Sequence, residues 1–204
     1  MSRNDTAPTK TNLIKLKRSL SFAKEGYELL DQKRNILIHE LMALIERTIA
    51  VKTKVYSLLE EAYRSLEISL MKTGRERVRM LGLSVNIKTE AEFSSHRVMG
   101  VELPEVKTVC EDNRPYFSLN ETDFTVDETI ELFRKALNLV GEYAQTQVAT
   151  MRLAMEVKKT IRKVNALEKI AIPDYQSTIK FIEERLEETE REEFYLLKLL
   201  KRSV

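Results

Sequence analysis

The chain has 204 residues with only 5 Gly and 4 Pro, about 4% turn-forming residues against roughly 12% in an average globular protein. Leu, Ala, Glu, Lys and Arg supply about 48% of the sequence, the composition of long helices or coiled coils, which excludes all-β and collagenous folds. Charged residues make up 32%, yet 34 bases against 32 acids leave a net charge of +2, which argues against a protein that coats nucleic acid.

Residues 1–10 read as an N-terminal extension with no apolar run. No window of 18 residues is free of charge, so the signal-peptide and membrane-spanning readings fail and a soluble, cytoplasmic chain is expected. Residues 11–74 read as one helix, interrupted between Thr11 and Thr73 by Gly26 alone. A strict 3,4 spacing from Leu13 passes through Leu16, Leu20, Ala23, Tyr27, Leu30, Arg34, Leu37, Leu41, Leu44, Thr48, Val51, Val55, Leu58 and Ala62. Thirteen of these fifteen positions are apolar where a 43% composition predicts about six or seven, the signature of a coiled-coil seam. Past Ala62 the stripe moves to Leu66 and Leu70, a stutter that relaxes the supercoil.

Residues 75–124 form a middle segment. Five of the nine Gly and Pro residues (Gly74, Gly82, Gly100, Pro104, Pro115) fall here or at its border. Leu83, Val85 and Ile87 alternate with polar residues, and the stretches Arg97–Leu103 and Val106–Cys110 are rich in Val, so a small β-hairpin is expected, followed by loop over 111–124.

Residues 125–204 read as the second coiled-coil arm. Thr125 with Glu128 three residues on is a capping box. The best register runs from Ile130 through Phe133, Leu137, Val140, Ala144, Gln147, Met151, Ala154, Lys158, Ile161, Asn165, Glu168, Ile172, Tyr175, Ile179, Ile182, Leu186, Thr189, Glu193 and Leu196 to Leu200. Its polar members cluster between Lys158 and Glu168. Pro173 lacks a backbone donor and is expected to kink or divide the helix. The fold class is therefore mainly α: a long antiparallel two-helix coiled coil made by the N- and C-terminal arms, with a small β-hairpin element in the middle.

Charge supports the antiparallel pairing. Residues 1–24 carry six bases and one acid, whereas 183–193 (EERLEETEREE) carry seven Glu and two Arg. An antiparallel hairpin sets these runs side by side and places the two chain ends at one tip.

Candidate chemistry is sparse. Cys110, His39 and His96 are the chain's only Cys and His, so no structural metal site is expected, and Cys110 reads as a small buried residue at a strand end. No phosphate-binding glycine loop is present, because Gly74 and Gly82 lack the spacing and the following Lys-Ser/Thr. His96 stands beside Ser94 and Ser95, and the Glu-rich run could supply carboxylate pairs, but a loop residue and a solvated helix face account for them. Lys158 and Asn165, with Arg162 and Lys163, have two readings: buried polar residues that fix register, or a loosened seam where other subunits touch the helix.

Three blocks carry a resemblance. Lys163–Glu168 (KVNALE), Ile172-Pro173 and Thr178–Arg202 closely resemble the C-terminal arm of the D subunit of the V-type and archaeal-type rotary ATPases. The opening, from Pro8-Thr9-Lys10 through Leu13, Leu16-Lys17, Leu20, Gly26 and Leu30 to Leu37, is similar to that family's N-terminal signature. Val98-Met99-Gly100-Val101-Glu102-Leu103-Pro104 matches its middle motif, while Ile161-Arg162-Lys163 stands where a basic triplet usually precedes VNALE.

The resemblance implies a non-catalytic central-stalk rotor subunit that binds no cofactor and is present in one copy per complex. It would touch the F subunit, the catalytic A/B hexamer and the membrane-side socket subunit, at the cytoplasmic periphery of a complex that moves protons or sodium ions. Possible subunit contacts are Arg162, Lys163, Asn165, Val98, Gly100 and Val101. Without the resemblance, a prefoldin-like chaperone or a generic coiled-coil scaffold would also suit two long helices around a β element. The first predicts apolar coil tips, the second a parallel homodimer.

Overall fold

The computed structural model describes residues 7–112, 115–118 and 123–202. In chain order these form α1 (Lys10–Thr73), α2 (Arg75–Ser84), β1 (Ile87–Val98), β2 (Val101–Asp112) and α3 (Phe124–Ala166), then one π-helical turn (Leu167–Ala171) and α4 (Ile172–Arg202). The fold is mainly α, a long antiparallel helical pair with a two-stranded antiparallel sheet in the middle of the chain. It comprises two units, residues 1–36 with 157–204 and residues 37–156, and α1 and α3 contribute to both.

α1 starts where Thr9 can cap it: the Asn12 N–H, a donor left free at the helix start, donates to Thr9 Oγ1 at 3.3 Å, and the Asn12 side-chain Nδ2 ties back to the Ala7 carbonyl at 2.9 Å. Within residues 37–156, contacts descending α1 meet residues ascending α3. Lys72 pairs with Asp123 at 3.0 Å, Ser65 with Thr129 at 2.8 Å and Thr48 with Thr150 at 3.0 Å, and Arg47 reaches along the pair to Glu142 at 2.9 Å. The α1 seam is buried at Leu37, Val51, Val55 and Ala62 and half-buried at Leu41, Leu44 and Leu58. Thr48 is tolerated there because its hydroxyl also donates to the Leu44 carbonyl at 2.7 Å.

The seam on α3 differs from the sequence register by one residue. Ala136, Thr146, Ala149, Leu153, Val157, Thr160 and Val164 are buried, whereas Leu137, Val140, Met151, Lys158 and Asn165 are exposed. Asn165 and Lys158 are therefore not buried seam residues. Threonines hold much of the true row and score as polar, whereas an adjacent outer row holds Leu, Val and Met, so counting apolar residues favours the wrong one.

The start of the middle segment also differs. Leu83 belongs to α2 and is exposed, and the first strand begins only at Ile87. Val78 and Leu81, at helical spacing, are half-buried beside Leu66 and Phe133. The hairpin pairs Ile87 with Asp112 through to Val98 with Val101. Its two-residue turn has Met99 at φ 50 and Gly100 at φ 83, the two positive φ values that a type I′ hairpin requires and that Gly meets without strain. β2 continues past Cys110 to Asp112, where loop was expected, and the Cys110 side chain lies outside the described residues.

β2 lies along α3. The Val106 N–H donates to Gln145 Oε1 at 3.1 Å and Arg152 Nη1 to the Glu102 carbonyl at 3.1 Å, with Leu103 buried. Gly141 permits this approach, since a Cβ there would fall 2.5 Å from Thr108 Cγ2.

In the unit built from residues 1–36 and 157–204, Ala23, Val157, Val164, Ile179 and Ile182 are buried and Leu13, Leu16, Leu20, Leu30, Ile161, Ile172 and Leu186 are half-buried. Arg34, a charge within the α1 seam, pairs with Asp31 at 2.6 Å. The π-helical turn is closed by the Ile172 N–H donating to the Leu167 carbonyl, directly before Pro173, which supplies no N–H of its own. The extra residue of the wide turn advances the packed face by one position. The expected register, one residue off through α3, thereby coincides with burial again at Ile179 and Ile182.

Lys17 meets Glu183 and Lys10 meets Glu190, both at 2.7 Å, the antiparallel match of opposite charge runs. α4 continues beyond Glu190 to Arg202, and among the described residues no part of α1 is left to face it. Leu196 is consequently 58% exposed and lies outside the seam assigned to it from sequence.

Candidate functional site: interaction faces of the helical units

The residues that could have carried chemistry are engaged or dispersed. Ser94, Ser95 and His96 lie in β1 rather than in loop, so Ser95 points away from its neighbours, and the Ser94 hydroxyl donates to Glu105 at 3.3 Å. The Glu-rich run is exposed on α4, with Glu184, Glu187 and Glu188 paired to Lys180, Arg191 and Arg185. Among the described residues, no group of three or more His, Cys, Asp or Glu could hold a metal ion. No helix there is long and apolar enough to cross a membrane.

Arg162, Lys163 and Asn165 are exposed together near the C-terminal end of α3. At the hairpin turn Gly100 is exposed and Val98 and Val101 are half-buried. The start of α3 is tied down by a residue that the sequence pattern does not single out. Asp123 precedes the helix, accepts the Thr125 hydroxyl at 3.3 Å and pairs with Lys72 at the end of α1. Thr125 is thus a helical residue rather than the cap. The Lys72 ammonium, with help from Thr125 and the Phe124 N–H, holds the Asp123 carboxyl below its ordinary range. A helix N-terminus favours that anion as well.

At the charged end, hydrogen bonding and attraction to Lys10 lower the Glu190 pKa, while Glu190 raises that of Lys10. The lowered Glu190 value means that its contribution is present above the ordinary 4.5 and is lost as pH falls through the folded value. The raised Lys10 value means that its contribution is present below 10.5 and is lost as pH rises through its folded value. The pair is solvent-exposed, so the effect on overall stability is small. NMR titration should show the Glu190 carboxyl titrating at lower pH in the native chain than in Lys10→Ala. Identical midpoints would remove this pairing from solution.

The family model of the ATP synthase D subunit matches residues 12–202. The chain belongs to the ATP synthase D subunit family. It is 40% identical to the V-type ATP synthase D subunit of Thermotoga neapolitana over 198 residues, 97% of this chain and 98% of that protein. It is 34% and 36% identical to the A-type ATP synthase D subunits of Pyrococcus furiosus and Pyrococcus abyssi, each match covering 95% of this chain and 92% of the relative.

The match to the D subunit family spans residues from both units. The blocks that resemble the family occupy defined places: Val98–Pro104 holds the hairpin turn, Lys163–Glu168 leads from the end of α3 into the π-helical turn, and Ile172-Pro173 opens α4.

Proposed function

We propose that the chain is the central-stalk rotor shaft of a V/A-type ATPase, coupling ATP hydrolysis or synthesis in the catalytic A/B hexamer to rotation and ion translocation in the membrane sector. Membership of the D subunit family supports the complex. The observation that supports a shaft is α1, 64 residues of unbroken helix whose seam pairs antiparallel with α3 and α4. A helix pair locked along a packed row resists twisting. A single asymmetric shaft presents a different face to each catalytic interface and so biases their nucleotide affinities by differential contact.

In this reading the protein binds no cofactor, catalyses nothing itself and is present in one copy. It contacts the F subunit and the hexamer along its length and the membrane-side socket subunit at its base, and it stays peripheral to the membrane on the cytoplasmic side. The exposed Arg162 and Lys163 supply charged contacts to neighbouring subunits. Co-expression with the F subunit, followed by size-exclusion chromatography with mass determination, should yield a one-to-one complex without ATPase activity. A chain that binds neither the F subunit nor the A/B hexamer would overturn the reading.

A further inference from the structure

The ten-residue α2 presents an apolar face, with Val78, Leu81 and, one residue past its end, Val85 at helical spacing, yet none of its residues is fully buried. The reason is the space beneath it. A cavity of about 250 Å³, wholly within the unit of residues 37–156, lies between that face and Leu66 on α1 and Ile130 and Phe133 on α3. Gly82 also lines it, on the same helical face as Val78 and Val85, and a Cβ there would meet no atom within 4 Å. Glycine weakens a helix interior relative to alanine, and here it leaves a wall of the cavity unfilled.

Two hydroxyls, Ser69 and Thr129, interrupt the apolar lining, 0% and 5% exposed. A hydroxyl has one proton and two lone pairs. Ser69 commits its proton to the Ser65 carbonyl at 2.9 Å and Thr129 commits its own to the Thr125 carbonyl at 2.7 Å. The Ser65 hydroxyl, 2.8 Å from Thr129 Oγ1, is then the donor of that contact. Ser69 Oγ lies 3.1 Å from Thr129 Oγ1, but neither oxygen has a proton left for the other. The polar patch of the cavity therefore offers acceptor lone pairs and no donor.

Size and polarity together select the occupant. An apolar cavity of about 150 Å³ lined by Leu, Ile and Phe holds benzene, so this one has room for an aromatic ring with a substituent, and Phe133 offers it an aromatic neighbour. A water needs two to four polar partners, whereas every other side chain in the wall is apolar. A ligand with one donor and an otherwise apolar body matches the lining better.

We propose that the cavity is a binding site for a phenol, its ring packed among Leu66, Leu81, Ile130 and Phe133 and its hydroxyl proton donated to Ser69 Oγ. The assignment is independent of the rotor reading.

Methyl NMR of the full chain titrated with phenol tests it. Signals of Leu66, Val78, Leu81 and Ile130 should shift, with a dissociation constant in the millimolar range of so small a ligand. Ser69→Ala should weaken phenol about tenfold, as for a donor buried without its acceptor, while toluene, a ring of like size with no donor, should bind the native and variant chains within about twofold of each other. Gly82→Leu fills the space and should keep the native circular dichroism while abolishing the shifts caused by either ligand. Phenol that leaves these signals unmoved, or that Ser69→Ala weakens no more than toluene, would overturn the assignment. So would phenol that shifts the same signals as strongly in Gly82→Leu.

Discussion

Leu153→Asp is expected to unfold the helical pair of residues 37–156, whereas Met151→Asp, two positions away, should leave its helicity and melting midpoint nearly unchanged. Leu153 is fully buried and Met151 is 55% exposed. Truncating a buried leucine costs about 3–5 kcal/mol. Adding a carboxyl with no partner raises the penalty further, against a total stability of about 5–15 kcal/mol for an ordinary domain. Met151→Asp removes little buried surface and sets its charge in water. Thermal melts followed by circular dichroism decide the matter. Greater damage from Met151→Asp would mean that α3 packs in the register read from sequence, with Met151 and Asn165 inward.

Thr129→Val is expected to destabilise the same unit by about 1–3 kcal/mol despite conserving volume. The Thr129 hydroxyl lies 2.8 Å from Ser65 Oγ and 3.1 Å from Ser69 Oγ, and it donates to the Thr125 carbonyl at 2.7 Å. Ser69 keeps its own bond to the Ser65 carbonyl at 2.9 Å. The Ser65 hydroxyl is left buried without its side-chain partner, and that desolvation sets the cost. Ser65→Ala combined with Thr129→Val removes the orphaned group, so the double variant should be less destabilised than the two single effects added together. Strict additivity in chemical denaturation would show that the hydroxyls are not coupled.

The two expectations separate what sequence patterns disclose from what they conceal. The α1 seam is legible because leucine and valine dominate it, and its two exceptions are satisfied locally: Arg34 by Asp31 and Thr48 by the Leu44 carbonyl. The α3 seam is concealed because Thr129, Thr146 and Thr150 sit in it with their hydroxyls donating to carbonyls one turn back on the same helix, and hydropathy counts them as polar. α2 is hidden by its brevity, by Gly82 within it, and by the alternation of Leu83, Val85 and Ile87 across its end. The hairpin announces itself through the Val-rich stretches Arg97–Leu103 and Val106–Cys110, and the antiparallel pairing through the opposite charges of residues 1–24 and 183–193.

The candidate surfaces are less legible. Met42, Ile49, Tyr56 and Tyr63 are heptad-spaced in the sequence and exposed in the fold, but following the seam register alone passes over them. Which rows share a flank depends on the sense and rotation of the helix pairing, which contacts distant in sequence such as Tyr63–Phe133 and Arg47–Glu142 disclose. Asp123 escapes notice for a similar reason: its partner Lys72 is distant in sequence and close only once the helices pair.

The central claim is that this protein turns within the catalytic hexamer, and a reversible tether tests it most directly. In a Cys110→Ser background, a cysteine at exposed Glu192 on α4 is cross-linked by disulfide to a catalytic subunit of the assembled complex. The rotor account predicts that ATP turnover stops when the disulfide forms and returns when it is reduced. A tethered complex that hydrolyses ATP at the untethered rate would contradict it.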